Sequence, residues 1–204
     1  MIPPTTFVLF VTASLALVVI PGPNHLYITA RALAQGRAAG LASAFGVEFG
    51  TLVHIVAAAA GLSYLISQSA TLFAIVKWAG VAYLVYLGIR AFTGKEAETG
   101  RPDPQPLRKV FLEGVLVNLL NPKVALFFLA FLPQFVDPAA GSPAPQVAVF
   151  GLTLLLLGLL SDLLYAFTAG ALGHRLNGGT RTLRYVSGVV YLGLGVATAF
   201  AGRK

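Results

Sequence analysis

Three ionisable side chains stand where ionisation is most expensive. Glu48, Lys123 and Asp162 each interrupt a long apolar run, and a charge at mid-bilayer costs about 2.5–3.5 kcal/mol on insertion scales. Two proline breaks accompany them. Pro21-Gly22-Pro23-Asn24 falls in a stretch without charge before Arg31, and Asn121-Pro122-Lys123 falls in a later apolar run. Proline lacks an N–H and clashes with the preceding turn, so a regular helix does not run through either break. A buried carboxylate can hold a proton or an ammonium group, and a buried ammonium can receive a carboxylate. The N-terminus of a restarted helix adds unpaired N–H groups and partial positive charge. Glu48 and Asp162 are therefore the candidates for proton coupling. Pro21, Gly22, Pro23, Asn24, Asn121, Pro122 and Lys123 are the candidates for holding a substrate. The competing account is a structural ion pair, Lys123 with Asp162, that only pins helices together.

The elements that must position these groups follow from composition. Of 204 residues, 57% are hydrophobic and 10% charged, with mean hydropathy +0.82. Soluble domains carry about 25% charged residues, so the chain reads as a polytopic membrane protein. It has room for about six helices of roughly 20–25 residues. They fall at about 4–33, 38–66, 70–92, 110–135, 146–172 and 185–201. Residues 94–109 form the longest loop, rich in Pro and in both charges. No cleavable signal is expected, because the first apolar run lacks a basic start and exceeds the usual length. There is no cysteine, which removes thiol relays and thiolate metal sites.

Orientation follows from the basic residues. Arg31, Arg37, Arg90, Lys95, Arg101, Arg108, Lys109, Arg175, Arg181 and Arg184 fall at one face, against Arg203 and Lys204 at the other. Both termini should then lie outside. The net charge of +7 belongs to these loops and to anionic lipid, so no nucleic-acid partner is expected.

An odd number of helices per half turns the second half upside down. The fold expected is all-α, six transmembrane helices as two inverted three-helix repeats, with helices one and four broken. Residues 1–204 form one transmembrane domain: repeat one about 1–93, a cytoplasmic loop about 94–109, and repeat two about 110–204. Interrupted helices in corresponding positions are the best sequence pointer to a transporter site. Counting 1.5 Å per residue from the cytoplasmic ends puts Gly22, Glu48, Asn121 and Asp162 all about 15–16 Å deep. In helix two, Ala42, Gly46 and Gly50 form a small-residue ridge for close packing, while Glu48 projects about 160° away from it.

Other residues have plainer readings beside functional ones. Lys77 is near a helix end and can snorkel. His54 is the residue type that exchanges protons near neutral pH, yet a lone histidine on an alanine-rich helix is more simply a packing residue. Tyr83 and Tyr86 share a face, and Tyr83 is taken as a substrate-lining candidate. The Gly-rich helices two and six could support a homodimer.

The quoted breaks, the run Lys77-Trp78-Ala79-Gly80-Val81-Ala82-Tyr83-Leu84 with Tyr86-Leu87-Gly88, Asn118, and Phe131-Leu132-Pro133-Gln134-Phe135 resemble the lysine exporter superfamily. The homoserine/threonine efflux branch is the most similar part of it. The resemblance covers nearly the whole chain. It implies a bacterial inner-membrane exporter of amino acids or related small metabolites, driven by antiport with protons. No cofactor and no resident metal are expected. Asp162 resembles the acidic position of helix five in that branch.

Three other function classes were weighed on residues. A membrane-embedded metal hydrolase wants clustered ligands such as His-Glu-x-x-His, and His25, His54 and His174 have no such spacing. A structural subunit leaves paired helix breaks beside buried charges unexplained. An exporter of a cation or another small amphipathic solute is the nearest alternative, although one Met and no Cys disfavour soft metals.

Overall fold

The computed structural model describes residues 2–19, 21–68 and 103–172, with isolated helical positions between 74 and 93 and at 192 and 196. Every regular element among these residues is helical, and the fold is all-α. In chain order they are α1 (Pro4–Val19), α2 (Pro23–Gln35), α3 (Arg37–Gln68), α4 (Leu107–Leu119), α5 (Pro122–Leu126) and α6 (Pro143–Leu172). Two of them, over Arg37–Gly61 and Pro143–Ala169, are each long and apolar enough to cross a bilayer. The pairs α1/α2 and α4 with 123–135 also qualify when each is taken as one bent span. The bends are 47° and 49°, at the two breaks expected from proline. Expected helices three and six, with Lys77 and Tyr83, lie mostly or wholly outside the described residues.

After Pro122 the fourth span does not wind uniformly. α5 passes into a π-helical turn, Phe127–Phe131, and then a tight 3-10 turn, Leu132–Phe135. Pro133 accounts for the change, because it offers no N–H to the turn below it and its ring crowds that turn's carbonyl. Gln134 Nε2 instead donates to the Ala130 carbonyl at 2.7 Å.

α3 is the hub, packing on α2, α4 and α6. Its small-residue ridge faces α4. A Cβ built on Gly46 would collide with the Phe111 carbonyl, and one on Gly50 would meet Asn118 Cβ at 2.7 Å. Gly114 of α4 answers from the other side, its Cβ position lying 2.8 Å from the Ser43 carbonyl. Close backbone approach of this kind is what small residues permit. The opposite side of α3 presents Glu48 to Gly158 of α6, as the 160° separation requires.

Two clusters lie on either side of the breaks. On the α1 side, Phe10 is fully buried among Phe127, Phe135 and Phe150, with ring centroids at 6.0, 5.2 and 4.6 Å. On the α2 side sits a polar network missed in the sequence, where Arg31 was counted as a loop charge. Arg31 is only 4% exposed. It donates to Glu113 Oε2 of α4 at 2.6 Å and to the Asp103 carbonyl at 3.0 Å, and its guanidinium lies 5.6 Å from the Tyr27 ring centroid. The Tyr27 hydroxyl in turn donates to the Val110 carbonyl at 2.7 Å.

The α3–α4 approach makes a sharp prediction. Gly46→Ala is expected to lower stability by about 1–3 kcal/mol through overpacking. Gly61→Ala, on the same helix but with open space around it, should be neutral or slightly stabilising. Thermal unfolding of the two variants in detergent compares them, and equal midpoints would overturn this description of the interface.

Candidate functional site

The first break leaves the last carbonyls of α1 without helical partners. Residues from the second half of the chain take two of them. Lys123 Nζ donates to the Leu17 carbonyl at 2.9 Å, and Ser161 Oγ donates to the Val18 carbonyl at 3.4 Å. The helix restarts from Gly22, which is extended, with Pro23 in the first position where its missing N–H is harmless. The Gly22 N–H donates to His25 Nδ1 at 3.3 Å.

The second break is capped by a side chain. Asn121 Oδ1 accepts from the Lys123 N–H at 3.0 Å, as an N-cap residue does. Its Nδ2 donates to Asn24 Oδ1 at 2.9 Å. The two helix starts, ninety-seven residues apart in sequence, are thus stitched side chain to side chain. Just before the break, Asn118 Nδ2 donates to Thr51 Oγ1 of α3 at 3.1 Å.

The carboxyl groups arrive from the unbroken helices, Glu48 from α3 and Asp162 from α6. His25 links the first break to the acidic side. Because its Nδ1 accepts from Gly22, the neutral ring carries its proton on Nε2, by assignment from partners. That nitrogen lies 3.2 Å from Ser161 Oγ and 3.4 Å from Asp162 Oδ1. The imidazole also rests against the Tyr165 ring, centroids 4.2 Å apart. The Asp162 contact is thus a hydrogen bond from a neutral imidazole, whereas Arg31 and Glu113 form an ion pair at 2.6 Å. Asp162 meets His25, and Lys123 reaches a freed carbonyl.

These groups surround a cavity of about 60 Å³, room for about two waters at their liquid volume of about 30 Å³ each. Gly22, Asn24, Glu48, Asn121, Lys123 and Asp162 all line it, joined by His25, Thr51 and Asn118. Its remaining wall is apolar, built largely from Leu17, Val124, Phe127 and Leu154. Of the other sequence candidates, Pro21 and Pro23 shape the break without lining the cavity, Pro122 opens α5, and Tyr83 is outside the described residues. His54 stacks on Phe128, with ring centroids 5.7 Å apart, as a packing residue would. Among the described residues no group of three His, Asp or Glu side chains is placed to hold a metal ion.

Comparison with known proteins fits this arrangement. A model of the LysE type translocator family matches residues 15–202. The chain belongs to the LysE type translocator family. This translocator is a multi-pass membrane transporter and not an enzyme. It is 31% identical over 185 residues to an uncharacterized membrane protein of Vibrio cholerae, covering 89% of this chain and 90% of the relative. It is 27% identical to an uncharacterized membrane protein of Bacillus subtilis, covering 94% and 97%. A leucine efflux protein of Salmonella choleraesuis is 30% identical over 148 residues, covering 71% of this translocator and 70% of the relative. No solved structure matches the chain.

His25, Thr51, Asn118 and Ser161 were not singled out as site residues from sequence. His25 had a readable signal, since the third residue of a helix is where a side chain reaches back to the cap N–H. For the second break of this translocator, Asn121→Ala should cost about 1–2 kcal/mol from the lost cap. Asn121→Ser, which can cap but is too short to reach Asn24, should recover roughly half of that. Unfolding midpoints test the order. A serine variant no better than alanine would mean that the cap contributes little.

Proposed function

We propose that this translocator exports amino acids or related small metabolites across the bacterial inner membrane by proton antiport, with both termini outside. One observation carries the reading. Two restarted helices and the Lys123 ammonium face one cavity together with two carboxyl groups, an arrangement complementary to a zwitterion. The substrate carboxylate would be received by the helix starts at Gly22–Asn24 and Asn121–Lys123, where N–H groups and partial positive charge converge. Glu48 and Asp162 would carry the proton, since two facing carboxyl groups can hold one between them. The leucine efflux relative supports an amino acid as cargo, and the bacterial relatives support the inner membrane.

Alternating access needs two halves, and the packing supports an inverted repeat spanning about 1–93 and 110–204. Broken helix one packs on α6 as broken helix four packs on α3, and Asn24 meets Asn121 between them. The Arg31–Glu113 network would then close the cytoplasmic side, and the Phe10 cluster the outer side. Tyr83 remains a lining candidate contributed by the third helix.

The test is transport. Proteoliposomes loaded with each amino acid in turn are expected to release the cargo faster under an inward proton gradient. Asp162→Asn keeps the shape and some hydrogen bonding but cannot titrate. It should fold, keep a weakened exchange of labelled for unlabelled cargo, and lose the acceleration by the gradient. Gradient-driven release at the wild-type rate would make Asp162 structural. Lys123→Gln should weaken cargo binding by about ten-fold or more, the scale of one charge-assisted hydrogen bond at 1.5–3 kcal/mol. Its unfolding midpoint should move far less.

A further inference from the structure

We infer that Glu48 Oε2, Asn118 Oδ1 and Asp162 Oδ2 together form the subsite for the substrate's α-ammonium group, an assignment that rests on the amino-acid reading above. With both carboxyl groups ionised, all three oxygens are buried and accept no hydrogen bond from the protein. Their residues are 7%, 1% and 3% exposed, and all three line the same cavity.

The rest of each side chain is already engaged. Asn118 gives its Nδ2 to Thr51, Asp162 has its Oδ1 beside His25, and Glu48 Oε1 is packed on Gly158, 2.5 Å from where a Cβ would stand. One acceptor from each of α3, α4 and α6 is thereby left over. An unpaired buried acceptor is destabilising, and natural structures contain few of them. Three on three helices around one cavity match a ligand with three donors and no acceptor. A primary ammonium group is that ligand, because it carries three N–H bonds and no lone pair.

Charge places it the same way. The positive groups of the cavity, Lys123 and the restarted helices, belong to the breaks, whereas both carboxyl groups come from the unbroken helices. A zwitterion is oriented by this division, its carboxylate towards the breaks and its ammonium towards α3, α4 and α6. Leu17, Val124, Phe127 and Leu154 remain for the side chain.

The assignment predicts selectivity by one functional group. The purified full-length protein is titrated with three pairs, each an amino acid and its analogue without the amino group: L-leucine and 4-methylpentanoate, L-threonine and 3-hydroxybutanoate, L-lysine and 6-aminohexanoate. At least one amino acid is expected to bind about a hundred-fold more tightly than its partner, the scale of losing charged hydrogen bonds. In Asn118→Leu that ratio should fall to about ten-fold, one acceptor having gone. If this variant does not fold, Glu48→Gln supplies the same readout. A merely structural role for these residues would weaken both members of a pair equally and leave the ratio unchanged, which overturns the subsite. Equal binding of an amino acid and its analogue in the wild type overturns it too, while leaving amino-acid export standing. If gradient-driven release fails for every amino acid and none of the three binds, the export reading falls and the subsite with it.

Discussion

A helix that stops half-way through an apolar layer leaves backbone N–H and C=O groups that water cannot reach, and each must find a partner. The centre of this protein is organised by that constraint. The orphaned carbonyls of α1 are met by Lys123 and Ser161, both from the second half. The exposed N–H groups of the restarted helices are met by His25 and Asn121. The residues that repair the breaks are thus adjacent to, or the same as, those that line the cavity. Repair and recognition therefore share residues here, Lys123 and Asn121 among them.

The cavity also derives its asymmetry from this arrangement. Broken helices bring helix ends, with their partial charges, into the middle of the bundle. Unbroken helices can bring only side chains, and here they bring Glu48 and Asp162. Small residues make the meeting possible. Gly50 lets Asn118 close on α3, and Gly158 lets Glu48 close on α6. A methyl group at either position would push a functional oxygen away from the cavity.

Much of this was legible in the sequence. Proline chemistry gave both breaks to within a residue or two, and the rise per residue placed Gly22, Glu48, Asn121 and Asp162 at one depth. The direction of Glu48, away from its glycine ridge, followed from helical periodicity alone. Contacts between helices were not legible, because depth fixes the level of a side chain but not its azimuth relative to a neighbour. Depth alone therefore does not place Asp162 beside His25, as the bundle does. Arg31 misled for a related reason. Its type and position suit a topology signal, and only the packing of α2 on α4 reveals that it is buried on Glu113. Thr51 is uncharged, so nothing separated it from ordinary polar residues in a helix, and Asn118 stood out only as part of the family resemblance.

The contact between Lys123 and the Leu17 carbonyl has a consequence for biosynthesis. Its two ends are separated by 106 residues, and chains grow at about 5–20 residues per second. For roughly 5–20 s the first broken helix exists without the ammonium that completes it, and Ser161 arrives later still. During that interval the exposed carbonyls need water or another polar surface. The insertion machinery must therefore shelter the first half in a wet environment, or the first helix must enter the lipid last. The order in which the helices leave the ribosome is then not the order in which they can settle in the bilayer.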